Sequence, residues 1–102
     1  MATVIDITNK IKNEQKFIMY NGKNYKVDDS KNTIIKVFAI IDEAEGASME
    51  MIDKVLAELL GAEAAKDFEN FSYEDYLVPF FAAMACVQNK SYEEVEQSFH
   101  KT

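Results

Sequence analysis

The stretch 17–27, FIMYNGKNYKV, constrains this chain more than any other, because it reads as a β-hairpin in a sequence that otherwise reads as helix. Asn21-Gly22 supplies the positive φ angles that a tight turn needs. An isolated two-stranded hairpin buries too little apolar surface to offset its ordering entropy, so it must lean on something. A two-residue turn at 21–22 pairs Ile18 with Tyr25 and Lys16 with Val27. A three-residue loop at 20–22 pairs Phe17 with Tyr25 and Met19 with Lys23. The second register gathers Phe17, Met19, Tyr25 and Val27 on one face, and burial of a continuous apolar face favours it, because a one-residue slip would expose that face. Ile18 and Tyr20 then point outward.

Residues 4–14 offer Val4, Ile5 and Ile7 as a possible strand start and Thr8 as a cap, and read as a short helix or turn leading into the hairpin. Helices follow. Asp28, Asp29 and Ser30 offer oxygens to the first N–H groups of a helix carrying Ile34, Val37, Phe38 and Ile41 at helical spacing, with Ile35 and Ile40 beside them. Apolar over much of its circumference, this helix is expected to be central and to end at Gly46. Ser48 caps a second helix with Ile52, Val55, Leu56, Leu59 and Leu60 in one stripe, Glu50 and Lys54 paired outside it, and Gly61 as its stop. Residues 62–71 read as a third helix with Phe68 and Phe71 inward. Ser72 and Asp75 come close to a capping box for a helix that Pro79 either kinks or restarts. The stretch 80–88, FFAAMACVQ, reads as the innermost helix, and Ser91 with Glu94 opens a last one with Tyr92, Val95 and Phe99 on one side. The expected fold is mainly α with a small N-terminal β-hairpin (α+β): a single domain over 1–102, with the hairpin at 16–27 and a helical body of four to five helices at 30–100.

At 102 residues the chain is long enough to fold without disulfides or metal. A single cysteine, Cys86, excludes an internal disulfide. No basic flank precedes an apolar core at the N-terminus, and the longest apolar run, 76–87, is short and contains Pro79, so a cytoplasmic protein is expected and no membrane partner. In that setting Asn70-Phe71-Ser72 and Asn89-Lys90-Ser91 are helix ends rather than glycosylation acceptors. Net charge is −7, unevenly spread. Seven lysines against four acids give residues 1–36 a balance of +3, whereas four lysines against fourteen acids give residues 37–102 a balance of −10. The contrast suits head-to-tail contact between copies, beside the plainer reading of ordinary solvated surface. No arginine occurs, which speaks against nucleic acid as a partner, although Tyr20 and Tyr25 lie among hairpin lysines as in some single-strand binders.

Catalytic chemistry is not signalled. The only histidine, His100, lies near the end of the sequence, and Cys86 sits among Ala83, Met84, Ala85 and Val87, which describes a terminal imidazole and a buried inert thiol. Acids cluster at 42–45, 74–75 and 93–96, but at helix starts and on outward faces, without the alternating ligand spacing of a calcium loop. One cysteine and one histidine make no zinc set, and the three glycines read as turns and stops rather than a phosphate loop. No enzyme, cofactor or metal is expected.

The layout resembles a known family. The opening IDIT(x)KI at 5–11, the lysine-rich stretch FIMYNGKNYKVDDSKNTIIKV at 17–37 and the acidic helical remainder ending SYEEVEQSF at 91–99 are similar to tail assembly chaperones of Gram-positive siphophages and prophages. The resemblance implies a non-enzymatic protein that coats the tape measure protein, keeps its apolar helices dispersed and helps recruit tail-tube subunits. It also implies action in the host cytoplasm and absence from the finished virion. Such a role needs an apolar groove with an acidic rim. The candidate partner contacts are Met49 and Met51, whose side chains repack easily, and the hairpin residues Ile18, Tyr20 and Tyr25. The hairpin is also the expected surface for homo-oligomerisation. The alternative is a small acidic inhibitor that occupies a basic surface on a host or phage protein.

Overall fold

The computed structural model describes residues 2–12, 14–44, 46 and 48–100; Glu45 of the acidic cluster and the His100 side chain lie outside what it describes. A short 3-10 turn at Thr8–Lys10 precedes the strands β1 (Lys16–Tyr20) and β2 (Lys23–Val27). The helices α1 (Lys31–Glu43), α2 (Met49–Leu60), α3 (Ala62–Lys66), α4 (Tyr73–Gln88) and α5 (Tyr92–His100) follow. The architecture is mixed α+β: an N-terminal antiparallel hairpin set on helices.

The hairpin takes the two-residue register, not the three-residue one. Lys16 pairs with Val27, Ile18 with Tyr25 and Tyr20 with Lys23. Asn21 and Gly22 have φ of 54° and 81°, the double positive φ of a type I′ turn. That local preference outweighs the gain from a continuous apolar face. Ile18, Tyr25 and Val27 therefore face the core, while Phe17 and Met19 point away from it, 49% and 74% exposed.

Polar ties fix what the apolar face begins. Lys16 Nζ donates to the Cys86 carbonyl and to Asn89 Oδ1, each at 2.7 Å, at the C-terminal end of α4. The Asp28 N–H donates to the Leu59 carbonyl at 2.8 Å, joining the strand end to the end of α2. The Tyr25 hydroxyl and Lys23 Nζ both donate to Asp67 Oδ2, at 2.7 and 3.0 Å, just after α3.

α4 is the central helix: Phe80, Phe81, Ala83, Met84 and Ala85 are all buried. It runs unbroken through Pro79, which neither starts a new helix nor ends the old one. The Asp75 carbonyl consequently has no N–H four residues on to accept from. α2 packs Ile52, Val55, Leu56 and Leu59 against it, fully buried. α1 is peripheral rather than central. Only Thr33 and Val37 on it are buried, and Ile35 and Phe38 are 57% and 49% exposed. It ends at Glu43, with Ala44 in extended conformation, before Gly46 is reached. α3 is shorter than 62–71: turns occupy 67–70, which leaves Phe68 buried and Phe71 half-buried. The Ser30, Ser48 and Ser72 hydroxyls accept from Thr33, Met51 and Asp75 N–H as N-caps. Ser91 and Glu94 form the reciprocal capping box.

The N-terminal segment lies off the body. Val4, Ile5, Ile7 and Ile11 are between 53% and 87% exposed. Thr8 does not cap: Asp6 Oδ1 accepts from the Thr8 N–H and hydroxyl instead. The molecule measures 61 × 34 × 25 Å with a radius of gyration of 15.8 Å, where about 13 Å suits a compact chain of this length.

Candidate partner-binding surface

Around the hairpin the aromatic residues assemble into one cluster. Tyr20 meets Phe68 and Phe71 at centroid distances of 5.9 and 5.4 Å, Tyr25 meets Phe68 at 5.1 Å, and Phe68 meets Phe71 edge-on at 5.4 Å. Offset and edge-to-face pairs at these separations add to simple burial. The short α3 produces this arrangement, because the turns after Lys66 bring Phe68 and Phe71 under the hairpin.

Two open grooves flank the cluster and share Phe71. The first, of about 380 Å³, lies between β1 and α4: Ile18, Met19 and Tyr20 form one wall and Val78 and Pro79 the other, with exposed Asp75 among its lining. The second, of about 520 Å³, is lined by Met49, Asp53, Lys66, Glu69, Tyr73 and Tyr76 together with Phe71. The Tyr76 hydroxyl donates to Asp53 Oδ1, and burial first, then that bond, pushes its pKa up. Among the described residues, the first groove is chiefly apolar with a single acid, and the second mixes apolar residues with Asp53, Lys66 and Glu69.

The five sequence-derived contact residues do not form one patch. Ile18 is half-buried against the core and Tyr25 is buried, so neither is on the outer side of the hairpin, where the three-residue register would put Ile18. Tyr20 faces α4 as well but remains 46% exposed over the first groove. Met49 lines the second groove at 37% exposure, whereas Met51 is buried in the core. Tyr20 and Met49 thus stand on either side of Phe71. Sequence reading did not single out Phe71 or Val78 as surface-forming, or the buried Pro79 as part of a groove wall. The proline inside an apolar run was the available signal, since it marks where α4 presents a carbonyl without a helical donor.

The polar groups here tie elements to one another. The Tyr25 hydroxyl, and after it the Lys23 ammonium, hold the Asp67 carboxyl below its ordinary range. Lys23 Nζ also lies 4.9 Å over the Tyr25 ring. Cys86 is half-buried, and burial raises its thiol, which disfavours the reactive thiolate. Among the described residues no group of three or more His, Cys, Asp or Glu side chains could hold a metal ion, and no helix is long and apolar enough to cross a membrane. No protein-family model matches the chain, and no curated protein or solved structure matches it either.

Proposed function

We propose that this chain is a non-enzymatic assembly chaperone of the siphophage tail type, holding apolar helical segments of a tape measure protein while tail-tube subunits are recruited. The observation that carries the reading is the pair of grooves that share Phe71, lined by apolar and aromatic side chains together with the acids Asp53, Glu69 and Asp75 and one cation, Lys66. An amphipathic helix laid across them inserts its i, i+3 and i+4 side chains beside Tyr20 and Met49 and leaves its polar face to water. The surplus of ten negative charges over residues 37–102 then keeps coated complexes apart by mutual repulsion. Work in the host cytoplasm and absence from the finished virion belong to the same reading.

The test is co-expression of the full chain with an apolar helical segment of a tape measure protein, reading the fraction of that segment left in the supernatant. The chain should raise it, and Tyr20→Asp combined with Met49→Glu should abolish the rise. An unchanged supernatant fraction in the presence of the wild-type chain would overturn the proposal.

A further inference from the structure

We infer that the N-terminal arm, residues 2–12, is an exchange segment that docks into the groove between β1 and α4 of a second copy of this chain. This goes beyond the chaperone reading and does not rest on it.

The accessible surface of the chain is 7606 Å², whereas a compact monomer of 11.6 kDa exposes about 5,800 Å². The excess of roughly 1,800 Å² measures how much of the chain stands off a compact body. The arm accounts for a donor: Val4, Ile5, Ile7 and Ile11 are large aliphatics that touch little of their own chain. Two-sided exposure of this kind is costly in water and is relieved by an apolar surface elsewhere.

The acceptor is the groove of about 380 Å³ walled by Ile18, Met19 and Tyr20 on one side and by Val78 and Pro79 on the other. Charge agrees with this pairing. The arm carries Lys10 and Lys12 against one acid, Asp6, and the Asp6 carboxylate is already engaged by Thr8. Among the described residues, the only charged side chain lining the groove is Asp75. Backbone chemistry agrees too, because Pro79 leaves the Asp75 carbonyl without its helical donor, and the part of the arm before its 3-10 turn at Thr8–Lys10 supplies N–H groups. Arm and groove are different parts of the surface, so two copies that exchange arms reciprocally close a two-fold dimer, whereas successive head-to-tail donation builds a ring or filament.

The experiment uses two full-length variants with complementary defects. Ile5→Asp/Ile7→Asp spoils the donor but leaves the groove; Val78→Asp spoils the groove but leaves the arm. All three positions are exposed, so folding should survive, and circular dichroism with urea melts checks this. By sedimentation equilibrium the wild type should associate with rising concentration, and each variant alone should associate at least about tenfold more weakly, the scale of one lost aliphatic contact. Mixed in equal amounts, the two variants should form a one-to-one heterodimer, because one intact arm meets one intact groove. A wild type that stays monomeric at every concentration overturns the inference, as does a mixture whose mass stays that of the separate variants. Variants that associate as strongly as wild type also overturn it. Every readout is made on this chain alone, so a failed tape measure co-expression leaves it untouched, and the converse holds.

Discussion

Lys16 Nζ donates to the carbonyl of Cys86, a residue 70 positions further along the chain, at 2.7 Å. The contact does two things together. It places a positive charge on an open carbonyl at the C-terminal end of α4, and it fastens the first strand of a hairpin that cannot stand alone. Lys16→Met keeps the aliphatic stem and removes the charge. It should cost about 1.5 kcal/mol, read as a lower urea midpoint with an unchanged slope.

Acid should loosen the hairpin through Asp67 and Asp28. Both carboxyls sit below their ordinary range, Asp67 through Tyr25 and then Lys23, Asp28 through the Thr33 hydroxyl and then the Ser30 N–H. A carboxyl depressed in the folded state adds stability above its unfolded pKa of about 4, and that stability disappears as pH falls through the folded value. Tyr25→Phe keeps the ring on Phe68 but removes the largest cause of the Asp67 shift. The variant should therefore be less stable than wild type near neutrality, and the difference should shrink below about pH 4, measured by urea melts across that range.

Neighbouring positions on α1 should respond in opposite ways. Val37 is fully buried, whereas Phe38 is half exposed. Val37→Ala should cost about 2 kcal/mol. Phe38→Ser should stay within about 0.5 kcal/mol of wild type, although phenylalanine is the larger apolar side chain. Parallel thermal melts of the two variants decide this, and equal losses would restore α1 to the core.

Ser91 and Glu94 cap α5 reciprocally, Ser91 Oγ accepting from the Glu94 N–H at 3.1 Å and Glu94 Oε1 from the Ser91 N–H at 3.2 Å. Ser91→Ala should cost about 1 kcal/mol. Amide hydrogen exchange should speed up along α5 and leave α2 unaffected, since α5 is held through α4.

The caps were legible because their chemistry is local. Ser30, Ser48, Ser72 and Ser91 each do what a serine before an apolar-periodic run does, and Asn21-Gly22 forces its turn whatever surrounds it. Where reading went astray, a local rule met a long-range one. The hairpin register was judged by apolar continuity, yet the turn geometry decided it and put Lys16 on the inner side, where α4 offers acceptors. α1 looked central because Ile34, Ile35, Val37 and Phe38 surround it with apolar surface. A sequence records how apolar a face is, not how much of that face its own chain covers, and here Ile35 and Phe38 stay about half exposed. The grooves beside Phe71 were illegible for a related reason: they exist only because α3 stops at Lys66 and the following turns fold Phe68 and Phe71 beneath Tyr20. Tyr20 and Met49 were found as candidate contacts by residue type; their placement around Phe71 needed the fold.

The reach from Lys16 to Cys86 also sets an order of events during synthesis. The strands leave the ribosome first, but the carbonyl that fastens the first of them belongs to a helix made some 70 residues later. Until that helix emerges, a nascent chain presents a first strand without its Lys16 tie behind a bare aliphatic arm. A ribosome pausing before Cys86 would hold the protein where it is most adhesive, so neighbouring nascent chains on one messenger would have their best opportunity to find each other before any of them is finished.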